Sequence, residues 1–292
     1  MMTSSLLQDK TALITGASRG LGLYIAKRFW ELGSSLILVA RNKHKLELCY
    51  EELSASTKSQ QSIQLISSNL GENHAISQLT QQISHKKIDI LVNNAAIQGP
   101  IGNSWENNWS EWEQTLQVDL FAPIALCRAV IPGMIQRQYG KIINLSGGGA
   151  TNARPKFSAY AVSKAGLVRF SETLAEEVNP FNISVNCIAP GAMNTDMLRE
   201  IVAAGKDKVG EREYTQVTKK IADENSGMQQ ATELCAFLAS PQSDGITGKL
   251  IHAVWDPWKN LAEYVEELKA SDIYTLRRIV PQDRGKNWDP LL

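Results

Sequence analysis

The sequence predicts an α/β protein: a doubly wound parallel sheet of seven strands with helices on both faces and a C-terminal extension. Three observations predict it. Seven short β-branched or apolar runs alternate with longer stretches of helical periodicity. That alternation implies parallel strands joined by crossover helices, and right-handed crossovers favour double winding. A glycine-rich turn stands between the first run and the first helical stretch, where a Rossmann-type sheet places its phosphate cradle.

Composition sets the outer bounds. The 292 residues carry 30 basic and 30 acidic side chains, and 43% are hydrophobic. This is an ordinary globular composition, with the length of one large α/β domain. A net charge of zero gives no electrostatic reason to expect nucleic acid or an acidic membrane as partner. Cys49, Cys127, Cys187 and Cys235 are far apart, and the four histidines do not cluster. No metal site is expected, and the thiols read as reduced and buried. No unbroken apolar run reaches the roughly 18 residues that span a bilayer. "MMTSSLLQDK" lacks the apolar core of a signal peptide. A cytoplasmic protein with no membrane partner is the expectation.

The elements follow in order. "TALITG" is the first strand, and "TGASRGLG" (Thr15 to Gly22) the turn after it. Gly16, Gly20 and Gly22 permit a tight turn and a close approach to a pyrophosphate. The helix that follows offers free N–H groups to the anion, and Leu21, Ile25, Phe29 and Leu32 share one of its faces. A turn of this kind also serves as a plain β-α connection; its position after a strand and before a helix favours a dinucleotide. The second strand, "SLILVA", is followed by Arg41, where an acidic residue would bond the ribose hydroxyls of NAD. Arg41 and Arg19 suit a 2′-phosphate instead, so NADP is expected over NAD; the alternative is two solvated surface charges. "SIQLISS" is the third strand, and Asn69 beyond it is placed to touch adenine.

"IDILVNN" is the fourth strand. The segment after it holds Trp105, Trp109 and Trp112. Ser110 and Glu113 form a possible capping box, which puts Trp112 in the core. Trp105 and Trp109 line either a substrate mouth or a core or subunit contact. "GKIINLS", "NISVNCIAP" and "GKLIHAV" complete the strands. The charged stretch "GKDKVGEREYTQVTKK" reads as a solvated, mobile segment or an exposed helix pair. The division expected is a catalytic domain over 1–254 and an extension over 255–292. The extension holds Trp255, Trp258, Tyr264, Tyr274 and Trp288. Such aromatics do not normally stay in water, so it should pack on its own domain or a neighbouring subunit.

Tyr160 and Lys164, after the fifth strand, share a helix face. A phenol titrates near pH ~10; a neighbouring ammonium stabilises the phenolate and brings it toward working pH. Such a phenol can give a proton to a carbonyl oxygen, or take one in reverse. The competing reading is a packed Tyr beside a snorkelling Lys.

These motifs together carry a resemblance. "TGASRGLG", "NNAA" (Asn93 to Ala96), "YAVSK" and "IAPGAMNT" (Ile188 to Thr195), in this order, resemble the short-chain dehydrogenase/reductase family over about residues 8–250. The resemblance implies sheet order 3-2-1-4-5-6-7, a catalytic Asn-Ser-Tyr-Lys tetrad and a homodimer or homotetramer. It implies a cofactor held by Gly16, Ser18, Arg19, Gly20, Leu21, Gly22, Arg41, Asn69, Leu70, Asn93, Ala95, Pro190, Gly191 and Thr195, with Tyr160 and Lys164. Lys164 would grip the nicotinamide ribose, and Ile188 and Thr195 the carboxamide. The region from Thr195 to Lys220 would be the mobile substrate loop. The activity implied is NADP(H)-dependent interconversion of a ketone and a secondary alcohol; a 3-oxoacyl-thioester reductase and a catalytically silent NADPH-binding regulator are the alternatives.

Three departures stand out. The family's tetrad Ser precedes the Tyr by thirteen positions, and 160 − 13 = 147 is Gly147. Ser146 is one residue early and would naturally point to the opposite face. Either the glycine run repositions it, or the Gly147 N–H donates instead, or the glycine makes room for a bulky substrate that supplies its own hydroxyl. Thr151 and Ser158 are weaker substitutes. Asp119 stands where the family has Asn; it either joins Lys164 in a proton relay or bonds only locally. Ala96 replaces a glycine and adds one methyl beside the cofactor.

Overall fold

The computed structural model describes residues 6–55, 61–191, 193–221 and 227–288. The chain begins with β1 (Thr11–Thr15), α1 (Gly20–Glu31), β2 (Ser35–Ala40), α2 (Lys43–Ser54) and β3 (Ile63–Ser67). There follow α3 (Asn73–Ile83), β4 (Ile90–Asn93), α4 (Trp109–Leu116), a π-helical turn (Gln117–Phe121), α5 (Ala122–Arg137) and β5 (Gly140–Leu145). The second half holds α6 (Ser158–Val178), β6 (Ile183–Ala189), α7 (Asp196–Ala204), α8 (Lys206–Val209), α9 (Glu211–Ile221), α10 (Met228–Ala239), β7 (Leu250–His252) and α11 (Val265–Ala270). The strands form one sheet of order β3-β2-β1-β4-β5-β6-β7, with every pair parallel.

Both faces of the sheet are covered, which is why its strands read as nearly continuous apolar runs. Alternation within each strand then sorts the side chains. Ala12 and Ile14 join the core under α1, α2 and α10, while Leu13 joins the opposite core under α3, α5 and α6. The four cysteines are free and buried. The continuous helical run Trp109–Arg137 is long and apolar enough to cross a membrane, and 44% of its apolar 18-residue window is buried within the molecule. Its sequence shows no unbroken apolar run because Arg128, Pro132 and Gly133 interrupt it.

Two local expectations are corrected. The cap of α4 is Asn108, whose side chain accepts from the Ser110 N–H, rather than Ser110 itself. The asparagine carbonyl reaches the free N–H first. Trp112 is accordingly half-buried and stacks on Trp109 at 6.0 Å instead of entering the core. Trp105 and Trp109 are 79% and 67% exposed. The charged stretch after residue 204 is helical, in α8 and α9.

The last segment lies on the chain's own domain through part of its aromatics only: Trp258 is buried, while Trp255, Tyr264 and Trp288 stay exposed, against expectation. The Trp258 ring packs 5.9 Å from Phe237, and its Nε1 donates to the Ala253 carbonyl. Trp258, Leu261 and Leu268 extend the core on the α1/α10 side. Beyond α11 the chain passes the edge strand: the Leu250 N–H donates to the Tyr274 carbonyl at 2.8 Å. The Leu276 N–H donates to Glu172 Oε1 at 2.6 Å, and the Arg169 guanidinium donates to the Leu276 carbonyl. An edge left bare would invite pairing with another chain; here the tail occupies it.

Candidate active site

A groove of about 1240 Å³ opens at the carboxyl ends of the strands, beside β1 and β4. Strand order reverses between those two, which is where open α/β sheets take their ligands. The glycine turn forms its floor. Gly16 has φ +65°, and a Cβ there would come within 2.9 Å of the Ala95 Cα. A Cβ on Gly22 would meet the Gly16 carbonyl oxygen at 2.3 Å. Bare glycine thus lets α1 close on the turn and the turn close on the strand after β4. No side chain caps the N-terminus of α1, so its N–H groups face the groove as free donors.

At one end of the groove stand Ala40, the last residue of β2, and Arg41, Asn42 and Lys45 after it. The Asn42 side chain caps α2 through the Lys45 N–H. Ser68, Asn69 and Leu70 line the wall beside them. The Asn69 amide donates to Glu72 and its oxygen accepts from the Gly71 N–H, so its carboxamide is fixed by local bonds. Ser18, Arg19, Gly20 and Leu21 line the middle. Arg19 is paired with Asp196 across the groove, which leaves Arg41 and Lys45 as the cations of the far end.

Several expected residues lie elsewhere. Asn93 is 2% exposed and does not line the groove; its side-chain N–H donates to Asn144 on β5. Its neighbour Asn94 does line it, bonding the Thr15 carbonyl and clamping the turn. In extended backbone consecutive side chains take opposite faces, and the sequence did not show which Asn faced out. Ala95, Pro190 and Thr195 line the groove; Gly191 and Gly22 are not among its lining residues. Ile188 is fully buried, and its carbonyl accepts from the Ser146 N–H at 2.8 Å.

The proton-transfer pair closes the other end. Tyr160 and Lys164, on one face of α6, are both buried and both line the groove. The Lys164 Nζ donates to the Leu145 carbonyl at 3.1 Å and lies 3.4 Å from Asp119 Oδ2. Asp119 sits in the π turn, fully buried, with Oδ1 accepting from the Ile97 N–H at 2.9 Å. Single π turns of this kind are frequent at functional sites. Burial pushes the Asp119 carboxyl above its usual range, against the downward pull of Lys164 and of the Ile97 N–H. Burial, the largest influence, would lower Lys164, but Asp119 and the Tyr160 phenol oxygen together outweigh it and hold the ammonium above its usual range.

Tyr160 corrects an expectation. Burial pushes the phenol above its usual range; Lys164 pulls it down, Asp119 pushes it up and Arg154 pulls it down, and the sum is upward. The ammonium was expected to win, but it shares its charge with Asp119. The phenol oxygen also answers the missing hydroxyl. A Cβ on Gly147 would lie 2.3 Å from the Tyr160 Oη. The phenol therefore rests on the bare α-carbon, in space that any side chain would take. Ser146 Oγ is buried and has no protein partner among the described residues.

A family model described as short chain dehydrogenase matches residues 10–206. The chain belongs to the short-chain dehydrogenase/reductase family. It is 35% identical over 248 residues to the 3-oxoacyl-(acyl-carrier-protein) reductase FabG of Rickettsia bellii, across 84% of this chain and 95% of that protein. It is 31% identical over 249 residues to Nodulation protein G of Rhizobium sp. (strain N33), across 84% and 96%. Among solved structures it resembles YwfH, an NADPH-dependent reductase involved in bacilysin biosynthesis: TM-score 0.74, 26% identity, 84% and 96% covered. An NAD+-bound xylitol dehydrogenase shares the fold, with TM-score 0.74, 24% identity, 84% and 98% covered. As a short-chain dehydrogenase/reductase, the chain is an oxidoreductase of the α/β doubly wound class.

Proposed function

We propose that the protein is an NADP(H)-dependent reductase of a ketone carbonyl, with Tyr160 as the proton donor. The observation that carries this is the buried chain of Asp119, Lys164 and Tyr160 at the end of a groove whose other end is cationic. The groove fits a dinucleotide. Its floor is glycine, the N–H groups of α1 face it, and Arg41 and Lys45 offer two cations where a 2′-phosphate would lie. Gly16, Ser18, Arg19, Gly20 and Leu21 would hold the pyrophosphate side. Asn69 and Leu70 would hold the adenine, and Asn94, Ala95, Pro190 and Thr195 the nicotinamide half. The bound nicotinamide supplies the hydride.

The protein's part is the proton. Tyr160, kept protonated by burial, hydrogen-bonds the substrate oxygen and releases its proton as negative charge gathers there. Lys164 has three N–H donors; one goes to the Leu145 carbonyl, Asp119 Oδ2 lies 3.4 Å away, and donor capacity is left for the ribose hydroxyls. Asp119 keeps the ammonium charged and held in place. Two donors compete for the oxyanion role: Ser146 Oγ, buried and unpaired, and the Gly147 N–H, which meets no acceptor among the described residues.

The FabG relatives favour a 3-oxoacyl thioester as substrate. The test is NADPH consumption on acetoacetyl-CoA and on a panel of simple ketones. Turnover is expected. NADPH binding without turnover on any carbonyl would favour the silent regulator instead. A homodimer or homotetramer is the assembly proposed, read by light scattering.

A further inference from the structure

Two cations face Tyr160, and each has a carboxylate of its own. Lys164, on the same helix, is paired with Asp119. Arg154 comes from the loop ahead of α6. Its guanidinium lies 4.0 Å from the centre of the Phe157 ring and 5.7 Å from that of Tyr160. Its Nε and Nη2 both donate to Glu213 Oε1, at 3.0 and 2.6 Å. Glu213 belongs to α9. With α7 and α8 that helix roofs Phe157, through Leu198, Ile201, Val209 and Val217. The glycine loop borders the arginine: a Cβ on Gly149 would stand 3.3 Å from the Arg154 Cβ. The two carboxylates differ in setting. Asp119 is wholly buried in the π turn and pinned by the Ile97 N–H. The Glu213 side chain is 28% exposed and rides on a roof helix.

We infer that Arg154 is a positioning residue for the Tyr160 phenol, and that Glu213 on α9 sets how much of its charge the phenol feels. This rests on the reading of Tyr160 as proton donor. With α9 in place, the carboxylate offsets the guanidinium and the buried phenol keeps its proton. With Glu213 withdrawn, the guanidinium is an uncompensated cation beside the ring, and the phenolate is favoured. The roofed state thus presents the protonated phenol, which is the form that reduction consumes. Arg154 indeed pulls the phenol down against the upward push of burial. The charged groups around the ring are Lys164 from α6, Asp119 from the π turn, Arg154 from the loop and Glu213 from α9. Cys187 on β6, near Lys164, is a neutral thiol that burial pushes up to about 12.

The test is an ultraviolet titration of phenolate in the intact chain, with Tyr160→Phe as the blank. It compares the parent with Arg154→Gln and Glu213→Gln. Removing the cation should move the Tyr160 titration to higher pH, and removing the carboxylate should move it to lower pH. About one pH unit each is expected for charges at this distance with partial solvent screening. Arg154→Lys, which keeps the charge, should bring the titration most of the way back to that of the parent. The pH profile of 3-hydroxybutyryl-CoA oxidation with NADP should move the same way. A purely structural role for the pair would loosen the roof in both variants and shift both in one direction. Shifts of the same sign, or none in either variant, would overturn the inference. If Tyr160→Phe kept full turnover, the proton-donor reading would fail while the opposed shifts still stood. If Tyr160→Phe were inactive and neither titration moved, this inference alone would fall.

Discussion

At position 147 the α-carbon is bare and the Tyr160 oxygen occupies the adjoining space. In sequence that glycine reads as a lost hydroxyl, because the family spacing leads there. In the fold it is a seat for the phenol. Restoring the family's serine should therefore harm the enzyme. Gly147→Ser must push the phenol aside, and displacement of a reacting group by about 1 Å costs on the order of 10²-fold in rate. Steady-state kcat on acetoacetyl-CoA measures this; a rise in kcat would show that the ring yields without loss. The far end of the groove carries a second residue-scale prediction. Arg41 has no acidic neighbour among the lining residues that follow β2. Arg41→Asp should weaken NADPH relative to NADH by about tenfold or more, since a charged hydrogen bond to the 2′-phosphate is worth roughly 1.5–3 kcal/mol. Equal affinities of the parent for both cofactors, by fluorescence titration, would remove the argument from charge.

Among the elements, strands and crossovers were legible because burial on both faces writes them as apolar runs. The Tyr160–Lys164 pair was legible because four residues return a helix to the same face. What the sequence hid was contact across long separations. Arg154 and Glu213 are 59 positions apart, and nothing local marks them as partners. The net upward shift of the phenol was hidden as well, because its largest cause is complete burial, which the local sequence does not show. The cap of α4 failed on a finer point: Asn108 and Ser110 both suit the role, and a single residue separates them. The tail shows how an added segment is anchored. Trp258 is buried against Phe237 and bonds the Ala253 carbonyl. Trp258→Ala should destabilise the chain by about 3–5 kcal/mol, measured by denaturant unfolding. A loss near zero would mean that the extension contributes nothing to the domain beneath it.

For the molecule as a whole, the sheet places two kinds of chemistry at opposite ends of one groove. Cations and free helix N–H groups lie beside β1 and β2; the phenol, the ammonium and the buried carboxylate lie beside β4, β5 and α6. The strand reversal at β1/β4 opens the space between them. The roof of α7 to α9 covers the phenol side, and the tail covers the β7 edge. The most direct measurement is NADPH oxidation on acetoacetyl-CoA by the parent chain and by Tyr160→Phe, alongside NADPH binding to each. A lost general acid should cost about 10²–10⁴-fold in kcat, with cofactor affinity unchanged. Full turnover by Tyr160→Phe would contradict the account at its centre.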